Sequence, residues 1–252
     1  MYVRFNDNNK EIHEGYLEGD KVFYLNGPML EGGSASERSV ALADVRLLAP
    51  CEPSKVVCVG LNYRDHAAEM NESLPKEPLL FMKPSTSVIG HQEAIVAPAH
   101  SKRLDYEGEL GIVIAKRAKN VSVEEASGYI FGYTCANDFT ARDLQLGDKQ
   151  WTRGKSFDTF CPIGPGIVPT INQADTTIEL TVNGEVRQRS NLNQLIFNVH
   201  EVVSYISAHM TLLPGDVILT GTPHGVGPVT PGDSMTVTID GIGSLTNQLV
   251  AG

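Results

Sequence analysis

Two glutamates separated by a single glycine lead directly into an apolar, β-branched run, and this segment constrains the fold more than any other. It begins at Glu107-Gly108-Glu109 and continues through apolar residues to Ile114. We predict one strand over residues 107–115, in which side chains at positions i and i+2 point to the same face. Like charges on one face repel each other unless a cation lies between them. The pair therefore indicates either a solvated strand end or a cation site.

Turn residues divide the rest of the chain into many short segments, which predicts a β-rich α+β protein. Glycine (24) and proline (14) are both plentiful. Residues 1–50 contain strand patterns at 1–5, 14–17 and 21–25, and we predict that they form a small N-terminal β domain. Pro50 and Pro53 mark a linker, after which residues 51–252 are predicted to form the main domain.

Composition excludes several classes of partner. The formal charge of −10 argues against nucleic acid and anionic membranes, because phosphate binding requires clustered Lys and Arg. The sequence has no apolar run of roughly 18 residues that would predict a membrane span, and no signal-peptide core. The four cysteines are scattered without a C-x-x-C pair, which predicts reduced thiols and a cytoplasmic protein (Cys51, Cys58, Cys135, Cys161).

A histidine and a glutamate share one face of a predicted short helix over residues 62–70. His66 and Glu69 stand at i and i+3 and would be in contact, with Asn62 or Asp65 as the capping residue. A histidine oriented by a carboxylate is a plausible general base for water. A surface ion pair on a short helix is the other interpretation of the same two residues.

Polar residues also follow two predicted buried strands. The strand at 129–138 ends on Asp138, and a helix beginning at Thr140 would place Arg142 and Gln145 on one face. The strand at 217–220 runs into a glycine-rich loop at 221–227 that contains Thr222. Such a loop can present backbone N–H groups to an anion, although it lacks the Gly-Lys-Ser/Thr ending of a Walker motif.

Other patterns predict structure alone. Asn183-Gly184 between two alternating runs, at 177–182 and 185–188, is the strongest hairpin signal in the chain. Apolar residues at helical spacing predict a helix over 195–209 that packs on the sheet. Ser122 and Glu125 form a capping-box pattern and predict the start of a further short helix.

Five segments, taken in order, resemble the fumarylacetoacetate hydrolase superfamily, specifically its compact acylpyruvase, oxaloacetate decarboxylase and 2-hydroxyhepta-2,4-diene-1,7-dioate isomerase branches. The resemblance implies a mixed β-sandwich or β-roll with a few short helices. The matching segments are Val59-Gly60-Leu61-Asn62-Tyr63-Arg64-Asp65-His66-Ala67-Ala68-Glu69, Leu104-Asp105-Tyr106-Glu107-Gly108-Glu109-Leu110, Asn137-Asp138-Phe139-Thr140-Ala141-Arg142-Asp143, Lys155-Ser156-Phe157-Asp158-Thr159-Phe160 and Leu219-Thr220-Gly221-Thr222-Pro223-His224-Gly225-Val226-Gly227.

The resemblance also implies a set of site residues. Glu107, Glu109 and Asp138 match ligands of a divalent cation, and three hard oxygen ligands suit Mg²⁺ or Mn²⁺, with Ca²⁺ possible in a crystal. The other matches are an active-site lysine, three residues that hold the substrate and a water-activating pair: Lys155; Arg142, Gln145 and Thr222; His66 and Glu69.

Several functions share these motifs. The expected activity is metal-dependent hydrolysis of a C–C bond in acylpyruvate-type 2,4-diketo acids, with decarboxylation of oxaloacetate possible in the same pocket. The alternatives are a decarboxylase or isomerase (tautomerase) of 2-oxo or 2-hydroxy-diene dioates and, in another class, a metal-binding interaction protein without turnover. The expected partners are a small 2-oxo acid and, by resemblance, a second copy of the chain in a homodimer.

Overall fold

Strands make up most of the regular structure, as the turn-rich sequence predicts. The computed structural model describes residues 1–252 and contains twenty strands and four α-helices. None of these helices has the length and apolarity needed to span a membrane. The four cysteines are buried as free thiols.

The N-terminal segment contains the three predicted strands and two more. Its polar fourth strand was not predicted, because a sequence rich in Ser, Glu and Arg lacks an apolar face. Val3, Phe5 and Val22 form a small core within the N-terminal segment. The strands are β1 (Tyr2–Asn6), β2 (Ile12–Glu18), β3 (Lys21–Asn26), β4 (Ser34–Ala41) and β5 (Arg46–Leu47).

The middle of the chain alternates short strands with three short helices. These elements are β6 (Lys55–Gly60), α1 (Arg64–Glu69), β7 (Leu79–Pro84), β8 (Val88–Ile89), β9 (Ile95–Ala97), β10 (Leu104–Tyr106), β11 (Gly108–Ile114), β12 (Ile130–Asn137), β13 (Thr140–Ala141), α2 (Arg142–Gly147), α3 (Thr152–Lys155) and β14 (Cys161–Val168).

The C-terminal part contains the predicted hairpin and helix. Asn183 (φ 52°) and Gly184 (φ 84°) both have positive φ, as a type I′ turn requires. The elements are β15 (Thr177–Val182), β16 (Glu185–Asn191), α4 (Val199–His209), β17 (Val217–Leu219), β18 (Gly227–Val229), β19 (Ser234–Ile239) and β20 (Gly243–Ala251).

Three sheets result from the strand pairing. The largest follows the order β4-β3-β2-β1-β14-β12-β11-β17-β6-β7, with β5 paired to β1 and β8 to β14. The second has the order β16-β15-β19-β20-β9, and the third has the order β13-β10-β18. The N-terminal strands join the large sheet through one antiparallel pair, Tyr2 with Ile167.

The central strands of the large sheet are buried on both faces. Ile112 and Ile114 point into the main core, which also contains the inner side chains of the five-stranded sheet and of α4. Val113 points to the opposite face, into a second core cluster. This alternation is what a two-layer packing imposes on a strand with period two.

Several predicted boundaries are wrong. The strand predicted over 107–115 is one residue shorter at each end, since β11 begins at Gly108 and ends at Ile114. Glu107 forms the break between β10 and β11, and its backbone N–H donates to the side chain of Asn137, at the end of β12, at 3.0 Å. The side chains of Ser122 and Glu125 do bond each other, but a turn and a 3₁₀ segment follow instead of an α-helix. The predicted helix over 195–209 begins only after Asn198, which forms a capping box with Glu201.

The residues predicted to cap α1 (Asn62 or Asp65) and to begin α2 (Thr140) do not cap these helices. Neither helix has a side-chain cap: Tyr63 precedes α1 and Ala141 precedes α2. Asn62 instead bonds the backbone of Phe197 and Thr220, and the Thr140 hydroxyl bonds Asp138 O. Asn62 thus makes long-range contacts instead of a local cap, whereas the Thr140 hydroxyl bonds a backbone oxygen only two residues earlier in the chain.

Candidate active site

Three carboxylates meet where β10 gives way to β11 and β12 ends. Gly108 lies opposite Asn137 in the β11–β12 ladder, which brings Asp138 beside the two glutamates. The backbone N–H of Asp138 donates to Glu107 O at 2.8 Å. Oxygens of Glu107, Glu109 and Asp138 all lie within 4.8 Å of one another. We call these three residues the carboxylate triad.

The carboxylate triad is buried, so the interpretation of the glutamates as a solvated strand end is wrong. Exposure is 7% for Glu107, 2% for Glu109 and 0% for Asp138. Burying carboxylates costs free energy unless cations or hydrogen-bond donors compensate them. The burial of the carboxylate triad therefore depends on the basic side chains that contact it.

Three basic side chains surround the carboxylate triad. Lys155 Nζ lies 2.8 Å from Glu107 Oε2 and 2.7 Å from Asp138 Oδ2, and it is 1% exposed. Arg142 bonds the other oxygen of Glu107 and reaches Asp105 at 2.8 Å. Lys83 bonds the other oxygen of Asp138 and donates to Phe139 O at 3.0 Å.

The two glutamates have opposite electrostatic environments. Burial by itself raises the pKa of Glu107, but Lys155 and Arg142 outweigh burial and lower that pKa to about 2. Burial, and then the charges of Asp138 and Glu107, raise the pKa of Glu109 well above its usual value. Lys155 and the Gly221 amide oppose this increase only in part. Glu109 is thus the carboxylate that lacks a cation.

The predicted substrate residues of α2 are joined to the carboxylate triad. The guanidinium of Arg142 donates to Gln145 Oε1 from the same side of the helix. Gln145 is 7% exposed. One helical turn therefore presents a charged donor and an amide beside Glu107.

The loop after β17 reaches the carboxylate triad from the other side. The Gly221 N–H donates to Glu109 Oε2 at 2.6 Å, and the Thr222 hydroxyl donates to Gly108 O at 3.0 Å. We call residues 220–225 the substrate loop. It has the backbone N–H donors that its glycine-rich sequence predicts, and one of them already serves a triad carboxylate.

The predicted histidine–glutamate pair lies above the same loop. His66 Nδ1 is 3.1 Å from Glu69 Oε2. Glu69 also accepts from Gly225 N at 3.2 and 3.3 Å, which ties α1 to the substrate loop. The Glu69 side chain is 44% exposed, so the pair lies at the protein surface, and its contact with Gly225 joins it to the segment that also holds Glu109.

The donor set fits a divalent, oxygen-preferring cation. The carboxylate triad offers three hard oxygen ligands, with no cysteine or histidine among them, which is the chemistry that Mg²⁺ and Mn²⁺ prefer. A cation there would also offset the repulsion that raises the pKa of Glu109.

Sequence reasoning missed three buried polar residues of the site. Lys83 lies near the end of an apolar strand, on the same face as Phe81, because side chains at i and i+2 share a face. A lysine on an apolar face was the available signal that its charge is paired. Asp105 stood within a matched segment without an assigned role, although it binds both Arg103 and Arg142. Gln188, on β16, gave no local signal at all.

Comparisons with known proteins identify the family of the chain. Residues 55–250 match the fumarylacetoacetate (FAA) hydrolase C-terminal family, and residues 1–50 match the Rv2993c-like N-terminal family. A 5-carboxymethyl-2-hydroxymuconate delta-isomerase from Mycobacterium smegmatis has a similar structure, with TM-score 0.93 and 43% identity over 100% of this chain and 99% of that one.

Two further relatives carry other activities. The mitochondrial oxaloacetate tautomerase FAHD2A of Bos taurus is 44% identical over 82% of this chain and 70% of its own. A fumarylpyruvate hydrolase from Pseudomonas aeruginosa, solved in complex with Mn²⁺ and pyruvate, has TM-score 0.75 and 36% identity over 86% of this chain and 93% of that one.

Proposed function

The chain belongs to the fumarylacetoacetate hydrolase family, and from that premise we propose that it is a Mg²⁺- or Mn²⁺-dependent hydrolase of acylpyruvate-type 2,4-diketo acids. One observation carries the proposal. The substrate loop holds both the buried carboxylate triad and the His66–Glu69 pair, since Gly221 N–H donates to Glu109 and Gly225 N–H donates to Glu69. A cation site needs only the first of these, whereas hydrolysis needs both.

The residues around the carboxylate triad suit a substrate with a 2-oxo acid head. The triad would hold the cation. The positive charge of the cation would stabilise the negative charge that develops on the substrate. Lys155 adds a second, buried positive charge at the same place. Arg142 and Gln145 would provide donors for a carboxylate, and Thr222, whose hydroxyl donates to Gly108 O, would contact the substrate from the loop side.

The His66–Glu69 pair provides a base for water. Nδ1–H of His66 donates to Glu69, which leaves Nε2 with a free lone pair. Nε2 removes a proton from water as the oxygen attacks the distal carbonyl carbon. The C–C bond then breaks and its electron pair remains on the pyruvyl fragment, which takes up a proton. The products are a carboxylic acid and pyruvate.

A second candidate function is isomerisation, tautomerisation or decarboxylation of 2-oxo or 2-hydroxy-diene dioates. The similarity to an isomerase and to a tautomerase, at 43% and 44% identity, supports this second candidate. These reactions need the positive charges around the substrate but no attacking water. The two functions therefore make different predictions for His66.

A substrate panel tests both functions. Purified protein is assayed with acetylpyruvate, fumarylpyruvate and oxaloacetate, with Mn²⁺ or Mg²⁺ and with an EDTA control. Loss of the ultraviolet 2,4-diketo absorbance, together with formation of pyruvate, supports hydrolysis. Turnover of oxaloacetate alone supports the second function. Mn²⁺ binding without turnover of any substrate would indicate a non-catalytic metal-binding protein.

We predict that His66→Ala reduces acylpyruvate hydrolysis by about 10²–10⁴-fold, the usual contribution of a positioned base. Mn²⁺ affinity should stay within about twofold of wild type, because His66 is outside the carboxylate triad. His100→Ala, an exposed histidine elsewhere, is the matched control and should change neither quantity. Equal hydrolysis by the His66→Ala and wild-type proteins would refute the assigned role.

A further inference from the structure

A buried glutamine outside the family motifs connects the two halves of the site. Gln188 is 1% exposed and lies on β16, the edge strand of the five-stranded sheet. Its Oε1 accepts from Gly108 N at 2.9 Å, the amide between the two triad glutamates. Its Nε2 donates to Thr222 Oγ1 at 2.9 Å and to Pro223 O at 2.9 Å, with His224 O at 3.4 Å.

A bulge in β16 aims this side chain. Leu180 pairs with Gln188, but the next residue, Thr181, pairs with Val186, so that Arg187 is left without a partner. Such an extra residue turns the strand locally and re-aims the neighbouring side chains. The side chains before and after Arg187 accordingly differ in exposure, since Val186 is 53% exposed and Gln188 is buried.

The surrounding backbone is closely fitted to Gln188. A Cβ at Gly108 would lie 3.4 Å from Gln188 Oε1 and 3.3 Å from Leu180. A Cβ at Gly225 would lie 2.2 Å from Arg187 O. A side chain at Gly225 therefore has no room against β16, whereas one at Gly108 would be in tight contact with Leu180 of β15 and Gln188 of β16. Two residues further along, the Ser190 hydroxyl donates to Asp65 of α1.

We propose that Gln188 is a positioning residue that sets the substrate loop and the two triad glutamates relative to each other. Its amide has one acceptor and one donor group, and each is committed to a different half of the site. The expected effects on KM and kcat rest on the proposed function. The structural part of the proposal, the coupling of residues 107–109 to residues 221–225, does not depend on which reaction is catalysed.

Gln188→Leu removes the hydrogen bonds at both ends of the amide, which we call its two arms, to Gly108 and to the substrate loop. The leucine side chain has a volume similar to that of glutamine. We expect Mn²⁺ affinity, measured by electron paramagnetic resonance of free Mn²⁺, to fall about tenfold, as for other groups that orient metal ligands. KM for the preferred 2-oxo acid should rise about tenfold, with a smaller change in kcat. Gln248→Leu, the same substitution at an exposed position of the same sheet, is the matched control and should behave as wild type.

Thr222→Val separates the two arms. It removes the hydroxyl that Gln188 holds, together with the bond from that hydroxyl to Gly108 O, but it keeps the bond between Gln188 and Gly108 N. KM should therefore rise, while Mn²⁺ affinity falls less than in the Gln188→Leu protein. If Gln188 acts on substrate through Thr222, the double variant should have a KM no higher than that of the Gln188→Leu protein. Multiplied effects on KM in the double variant, or wild-type Mn²⁺ affinity and KM in Gln188→Leu, would overturn the proposal.

Hydrogen exchange provides a readout that needs no activity. In Gln188→Leu the amides of residues 107–109 and 221–225 should exchange faster, while those of α4 remain unchanged. Unchanged exchange in both segments would overturn the coupling. If the leucine variant does not fold, Gln188→Asn, which is too short to span both partners, is tested by the same criteria. Wild-type protein without Mn²⁺ binding or turnover would instead refute the proposed function, and exchange would still test the coupling.

Discussion

At the scale of single residues, the site depends on an uneven distribution of positive charge over three carboxylates. Lys155 bridges Glu107 and Asp138, Arg142 adds a second cation to Glu107, and Lys83 adds a second to Asp138. Glu109 has only the Gly221 amide. Its carboxylate is therefore the one whose charge is least compensated without a bound cation, which explains why its pKa is raised.

We predict that Glu109→Gln has opposite effects on metal binding and on stability. It removes a ligand, so Mn²⁺ affinity should fall by more than about tenfold. It also removes a carboxyl group that burial and the charges of Asp138 and Glu107 make costly to ionise, so the metal-free protein should become more stable by roughly 1 kcal/mol, or about 2–4 °C in Tm. Calorimetric titration with Mn²⁺ and thermal unfolding in EDTA measure the two effects.

Glu124→Gln, at an exposed glutamate without an ion pair, is the control for this prediction and should change neither Mn²⁺ affinity nor Tm. A Glu109→Gln protein that is less stable than wild type in EDTA would show that the negative charge of Glu109 stabilises the metal-free fold. That outcome would contradict the electrostatic account of the site.

At the scale of secondary-structure elements, the site forms where segments from different sheets meet. Glu107 is the residue at which the chain passes from the three-stranded sheet, through β10, to the large sheet, through β11. The substrate loop follows β17 of the large sheet and lies against β16 of the five-stranded sheet. Glu107 and Asp138 lie just outside the strands, whereas Glu109 lies within β11, and the junction brings the three side chains together.

We predict that Gly225→Ala disrupts the site by forcing the substrate loop off β16. The residue has φ +90°, and an added Cβ would lie 2.2 Å from Arg187 O. The displaced loop should lower kcat/KM by about 100-fold, since misplacement of about 1 Å can have that effect. Steady-state kinetics with the preferred 2-oxo acid measure it.

Gly232→Ala is a matched control that separates contact from backbone strain. Gly232 also has a positive φ, +105°, but a Cβ there would meet nothing within 4 Å. It should cost about 1 kcal/mol of stability and leave kcat/KM unchanged. Equal kinetic losses in both variants would attribute the Gly225 effect to strain alone.

At the scale of the whole molecule, the N-terminal strands extend the large sheet while keeping a core of their own. Only the pair Tyr2 with Ile167 joins β1 to β14 in register. Phe5 is fully buried in the small N-terminal core, with the Tyr24 ring 5.2 Å from its own. Met29, from the N-terminal segment, also packs with Ile163 and Ile167 in the second core cluster, so the boundary near residue 50 stays a prediction.

We predict that Phe5→Ala splits thermal unfolding into two steps. Removing a buried phenylalanine costs about 3–5 kcal/mol, and here the loss falls on the N-terminal core. Calorimetry should show a first transition at lower temperature, while Mn²⁺ affinity at 25 °C remains that of wild type. Phe160→Ala, at a buried phenylalanine of the main domain, should instead lower the main transition and weaken Mn²⁺ binding. A single transition in Phe5→Ala, with lost Mn²⁺ binding, would show that both parts unfold together.

The sequence by itself determined the features that follow from local rules. The hairpin at Asn183-Gly184 was predicted because a type I′ turn requires two residues that tolerate positive φ. The contact between His66 and Glu69 was predicted because i and i+3 residues share a helix face. The buried strands were predicted from their apolar runs, and the family motifs indicated the members of the carboxylate triad.

Only the tertiary structure decided how the site is enclosed and compensated. The burial of Glu107 and Glu109, the break in the strand at Glu107, and the bonds of Lys83 and Gln188 all depend on contacts between distant parts of the chain. Lys83 is 55 residues from Asp138, and Gln188 is 80 residues from Gly108. Period and propensity describe a residue's neighbours within a few positions, and they carry no information about which segment will lie across the core. The charges around the carboxylate triad therefore became known only when the three sheets were seen together.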